Sequence, residues 1–205
     1  VKDSDHWDAV YKTKGPDQVS WYRPHLERSL DFLRAANLNL AAGIIDVGGG
    51  ASSFVDDVLD LGHSNVTVLD LSEAALQVAR ARLGDRARLV QWIRADVTKA
   101  SLPDRAFDFW HDRAVFHFLQ DPQARADYVD TVRRSVKPGG HIVVATFGPH
   151  GPEKCSGLDV LHFTPETLHA EFGTDFAKVG STTEMHTTPW GSEQEFVYCY
   201  CRLAG

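Results

Sequence analysis

A chain of 205 residues, 43% hydrophobic and 24% charged, is sized for one domain and can bury a core without disulfides or metals. That balance excludes a disordered tail, and no apolar run approaches the ~20 residues that span a bilayer. A net charge of −7 without a long Lys/Arg run makes a phosphate backbone a poor partner, so neither nucleic acid nor membrane is expected. Three cysteines suit a reducing compartment better than a disulfide framework; no basic, apolar leader opens the sequence, and a cytoplasmic location is expected.

Residues 1–35 are mixed and aromatic-rich, with His6–Tyr11 (HWDAVY) and Val19–Tyr22 (VSWY). From there the pattern alternates. Gly43–Val47 (GIIDV) predicts a strand, followed by the glycine-rich turn Gly48–Ser53 (GGGASS). Phe54, Val58 and Leu61 then fall at helical spacing. Val66–Leu69 predicts a second strand, and Ser72 caps a helix carrying Leu76, Ala79 and Leu83 that Gly84 closes. Arg88–Ile93 and Phe107–His111 read as strands three and four. Asp121–Pro122 opens a helix through Tyr128, Val132 and Val136 that Lys137–Gly140 (KPGG) breaks, and His141–Phe147 is strand five. Thr164–Pro165 starts a helix through Leu168 and Phe172. Phe176–Thr188 and Glu195–Leu203 are joined too closely for a crossover helix and form an antiparallel hairpin. The whole predicts one α/β domain over 1–205. It comprises a lid segment (1–35) and a doubly wound, mainly parallel seven-stranded core (36–205) with an antiparallel C-terminal hairpin.

The chemistry centres on Ile45–Ser53 (IDVGGGASS). An acidic residue ends a buried strand, and glycines let the backbone pass close to a ligand in front of a helix N-terminus. Asp70 ends the second strand, where a carboxylate can accept from a ribose diol, and Asp96 lies just beyond the third. Each alone could cap a helix or face solvent. Together they sit on successive strand ends, which converge at the carboxyl edge of such a sheet, where ligands bind.

This constellation resembles the class I S-adenosylmethionine-dependent methyltransferases from about Trp21 to Leu203, and implies a Rossmann-like fold with S-adenosyl-L-methionine as cofactor. Asp46-Val47-Gly48-Gly49-Gly50-Ala51-Ser52 stands for the family's acidic-x-Gly-x-Gly-x-Gly, with Ser52 at the third glycine. By resemblance, Asp46, Gly48, Gly49 and Gly50 line the methionine end. Asp70 takes the ribose and Leu71 the adenine face, while Asp96 and Val97 take the adenine edge; His111 also faces the cofactor. A nicotinamide-binding domain is the nearest rival, but Ser53 occupies its third glycine position, and it leaves Asp46 and Asp96 without a task.

On the acceptor side the resemblance places a lid. Trp21 is assigned to the cofactor and Tyr22 to the acceptor, with Trp7 read as packing. Trp110–Leu119 (WHDRAVFHFL) is read as a turn bearing Asp112 and Arg113 toward the acceptor, with His117 as candidate general base. Cys155, in Gly148–Leu158, joins them; Cys199 and Cys201 read as core, and no metal-ligand set is present. The expected function is methyl transfer to a small molecule. The alternatives are a protein lysine acceptor and a non-catalytic cofactor-binding scaffold. Nothing in the sequence addresses oligomeric state.

Overall fold

The computed structural model describes residues 4–205. The chain runs α1 (Ser4–Thr13), α2 (Glu27–Ala36), β1 (Gly43–Val47), α3 (Phe54–Asp60), β2 (Asn65–Asp70), α4 (Glu73–Leu83), β3 (Val90–Arg94), β4 (Phe107–Arg113) and α5 (Pro122–Ser135). Then follow β5 (Val136–Phe147), a two-residue ribbon of β6 (Lys154–Cys155) and β7 (Leu158–Asp159), α6 (Pro165–Phe172), β8 (Phe176–Thr187) and β9 (Glu193–Leu203). Seven strands make one sheet in the order β3-β2-β1-β4-β5-β9-β8. The first five pair in parallel, and β9 enters antiparallel to both β5 and β8, as expected for a mainly parallel sheet closed by a hairpin.

Every residue of β1 is buried because helices cover both faces of the sheet. Side chains alternate between two cores: Ile44, Phe109 and Val143 on one face, Ile45, Trp110 and Val144 on the other. Cys199 and Cys201 join the second core, consistent with a packing role. Caps form where the residues suggest them. Ser72 Oγ accepts from Ala75 N–H, and Asp121 Oδ1 accepts from Gln123 N–H with Pro122 in the first turn.

The strand boundaries move, with consequences. β3 starts at Val90, because Gly84–Leu89 coils as a 3-10 helix. β5 starts at Val136 and runs through the Lys137–Gly140 stretch instead of following it. Gly140 permits this: a Cβ there would come within 2.6 Å of Val136 Cγ1. β4 continues two residues past His111, so His111, Asp112 and Arg113 belong to a strand and must alternate. Among the described residues, no helix is long and apolar enough to cross a membrane.

Candidate active site

The cavity lies over the carboxyl ends of β1, β2 and β4, where this topology reverses direction. It encloses about 1160 Å³ including its open mouth. Its floor is the turn after β1. Gly48 has a φ of +66°, and its backbone N–H donates to Leu69 O at 2.7 Å. A Cβ on Gly48 would overlap Val115 Cγ2, and one on Gly49 would overlap Asp46 Oδ2. Only bare backbone leaves this floor open. Arg82 braces the turn from α4, donating to Ala51 O at 3.0 Å and Ser52 O at 2.6 Å while pairing with Asp56.

Asp46 is buried and held by its neighbours. Its Oδ1 accepts from His111 Nδ1 at 2.7 Å, and His111 Nε2 lies 2.8 Å from Ser29 Oγ. The imidazole stacks on Phe54. This Asp–His–Ser row looks nucleophilic, yet Ser29 is fully buried on α2 and does not line the cavity. The row therefore fixes Asp46 in place. Asp46 Oδ2 has no hydrogen-bond partner among the described residues.

Asp70 does two jobs. Oδ2 accepts from Gly50 N–H at 3.0 Å and Oδ1 from Ser72 N–H at 2.8 Å, tying the glycine turn to the start of α4, while the side chain also faces the cavity. Burial pushes its carboxyl up to about 6, against those two bonds. Gly50 thus supports the site from behind and does not line it; a Cβ there would lie 2.6 Å from Asp70 Oδ2 and would overlap Ala75. Leu71, Asp96 and Val97 line the adjoining wall, with Asp96 Oδ1 accepting from Thr98 N–H at 3.0 Å.

The roof is aromatic. Trp21 lies edge-on to both Trp7 and Tyr11, with ring centroids 6.1 and 6.3 Å away, and Trp7 meets Phe118 at 5.1 Å. Trp7, Tyr11, Trp21 and Tyr22 all line the cavity, so Trp7 does more than pack. Asp8 clamps α1 in place: Oδ1 accepts from Ser72 Oγ at 2.5 Å and Ala74 N–H at 3.1 Å, and the Ser72 bond holds its carboxyl below the usual range. Asp8→Ala should loosen the roof and leave the sheet intact. Trypsin cleavage at Lys12 or Lys14 should speed up about tenfold, read by timed digestion, for loss of a charge-assisted bond of about 1.5 kcal/mol or more.

Besides Gly50, two expected site residues fall outside the cavity. Asp112 faces the opposite side of β4 from His111 and Arg113, fully buried, accepting from Tyr128 Oη at 2.7 Å and Val115 N–H at 2.9 Å. A strand's two-residue period forbids its sharing a face with its neighbours. His117 is also fully buried; its Nδ1 accepts from Phe147 N–H at 3.2 Å, and burial, aided by the charge of His162, pushes it down to about 3. It stays neutral near pH 7 and does not line this cavity, so it is corrected from candidate base to a support for the end of β5. Arg113 and Cys155 do line the cavity.

A glycine-floored, acid-lined cavity over the strand ends of this sheet defines a Rossmann-like protein that binds an adenosyl cofactor. Residues 45–144 match the family described as "Methyltransferase domain". The chain is 26% identical over 166 residues to a malonyl-[acyl-carrier protein] O-methyltransferase of Paenibacillus sp., covering 78% of this chain and 56% of that protein. It is 24% identical over 156 residues to EEF1A lysine methyltransferase 2 of Danio rerio, covering 69% and 67%. The fold superposes on the N-methyltransferase NodS of Bradyrhizobium japonicum, in complex with S-adenosylhomocysteine, with a TM-score of 0.72 over 99% of this chain and 100% of that one, at 18% identity. The matched domain and these likenesses support a class I S-adenosylmethionine-dependent methyltransferase. It spans just over half the length of the Paenibacillus relative.

The residues present fit that cofactor. The bare backbone at Gly48 and Gly49 leaves room that a Cβ could not, and the unpartnered Asp46 Oδ2 beside it could accept from an ammonium or amide donor. Asp70 accepts from hydroxyls best as a carboxylate. Affinity for S-adenosylhomocysteine should therefore fall about tenfold between pH 7.5 and pH 5, as protons compete for a group titrating near 6, with calorimetry as the readout.

Proposed function

We propose that this chain transfers the methyl group of S-adenosylmethionine to a small molecule bound between the aromatic roof and the end of β4. The observation that carries the reading is the roofed cavity itself, with acids along β1–β3 and a cation with a thiol beyond β4. Asp46 and the glycine backbone would hold the methionine end, Asp70 the ribose, and Leu71, Asp96 and Val97 the adenine. When bound, the cofactor supplies an electrophilic methyl on a sulfonium. The chain's own residues position the reactants and exclude water, with Trp7, Tyr11 and Trp21 offering faces that attract a cation. Arg113 is a permanent cation, and burial pushes the Cys155 thiol up to about 12, so neither takes a proton near neutrality. The reading therefore favours an acceptor whose nucleophile arrives already ionised or unprotonated.

The protein-lysine alternative rests on the Danio relative. Labelled cofactor is incubated with the protein and either a metabolite extract or lysate proteins. Label in small molecules together with S-adenosylhomocysteine formation supports the proposal. Label only in protein favours the lysine reading, and binding with no turnover of either pool leaves a scaffold.

A further inference from the structure

Arg113 closes β4 and is buried, the residue being 9% exposed. Its guanidinium carbon sits 4.0 Å over the Phe196 ring. Nε donates to Tyr198 Oη at 3.1 Å and Nη1 to the Trp21 carbonyl at 3.0 Å. Nη2 is buried without a hydrogen-bond partner, and no carboxylate lies within 4.0 Å of the group among the described residues. The nearest acid is one hydroxyl removed: Tyr198 Oη donates to Glu184 Oε2 at 2.8 Å, while Glu184 Oε1 already pairs with Arg23 at 3.2 Å. His186 adds no charge, since burial and then Arg113 push it down to about 4. Two arginines thus share one glutamate, and Arg113, whose Nη2 is left without a partner, lines the cavity.

Burying an unpaired cation is expensive, and arginine cannot escape by losing its proton. The remedy is an anion delivered by a ligand. Sheet order says which ligand. The cofactor acids lie on or just beyond β1, β2 and β3, whereas Arg113 leans across β5 onto Phe196 and Tyr198 of β9, away from the glycine turn. We propose that the methyl acceptor carries an oxyanion, a carboxylate or a phosphate, that docks on Arg113 Nη2. This rests on the methyltransferase reading above and deepens it by naming the acceptor's chemical class.

The test titrates hexanoate, hexyl phosphate and neutral hexanamide into the protein, both free and saturated with S-adenosylhomocysteine, by calorimetry. At least one anion should bind about tenfold or more tighter than hexanamide, as a charge-assisted bond predicts, and the tighter of the two identifies the source of the oxyanion. Arg113→Met should remove that preference while leaving the dissociation constant of S-adenosylhomocysteine within about twofold. Should Arg113→Met lack a cooperative thermal transition, Arg113→Lys decides: it keeps the charge without the fork and should retain anion selectivity at lower affinity. Equal binding of anions and amide by the native protein overturns the proposal, as does unchanged anion binding in a folded Arg113→Met. An equal loss of S-adenosylhomocysteine in that variant also overturns it, assigning Arg113 to the cofactor's own carboxylate. If the native protein binds no S-adenosylhomocysteine, the methyltransferase reading fails, and the titration of free protein still decides whether Arg113 selects an anion.

Discussion

Gly49→Ala should weaken S-adenosylhomocysteine binding by roughly tenfold to a hundredfold, measured by calorimetry. The added methyl would overlap Asp46 Oδ2. That carboxylate cannot step aside, because its other oxygen is held 2.7 Å from His111, which is itself pinned between Phe54 and Ser29. The strain must then move the turn, at about 1–3 kcal/mol, and closes the floor that would receive the cofactor. Melting should drop by roughly 3–10 °C for a chain of this size. A double variant, Gly49→Ala with Asp46→Ala, removes the clash and should recover most of the thermal stability but not the binding. Affinity matching the native protein in the single variant would show that the turn is not the cofactor's floor.

Asp112→Asn should flatten the pH dependence of stability. Burial pushes the Asp112 carboxyl up to about 7, against bonds from Tyr128 and Val115, whereas the unfolded chain titrates near 3.8. Between these values the native state keeps a proton that the unfolded state has lost. Stability from this group is thus full below about pH 4 and is lost as pH rises through 7, by on the order of 4 kcal/mol. Urea unfolding of the native protein at pH 5 and pH 8 should show this decline, and the difference from Asp112→Asn isolates it. The substitution has its own cost: one amide oxygen cannot serve both Tyr128 Oη and Val115 N–H, so stability at pH 5 should fall by about 1–3 kcal/mol. Parallel curves for the two proteins would mean that Asp112 ionises in the core without penalty.

Much of the fold was legible because its signals are local. A buried strand ending in Asp46, glycines behind it and Asp70 one crossover later depend on neighbours in sequence, and the caps at Ser72 and Asp121 form from side chains two or three residues from their partners. What escaped depends on where a strand stops. Reading His111–Arg113 as a turn let three consecutive side chains share one site; two more residues of strand send Asp112 to the far face. His117 was unreadable for a different reason. Its partner is the backbone of Phe147, 30 positions away, and nothing in its own neighbourhood reports that its ring is sealed from water. Arg82 carries no local mark either, since it acts on the glycine turn from the opposite end of α4.

The roof and the final hairpin are sewn together from opposite ends of the chain. His186 Nε2 donates to Ser20 O at 2.6 Å, Arg23 Nε donates to His186 Nδ1 at 3.0 Å, and Arg113 holds the Trp21 carbonyl while leaning on Tyr198. These bonds join residues up to 166 positions apart, among the latest contacts that chain closure can make. During synthesis the five parallel strands can pair before β9 leaves the ribosome; Arg113 of β4 can then hold the Trp21 carbonyl, but the bonds of Ser20 and Arg23 to His186 wait for β8. The nascent protein therefore passes through an interval with its roof fastened to β4 and α4 but not yet to the final hairpin. The cavity is then less firmly closed, and the arrival of β8 and β9 ends that interval.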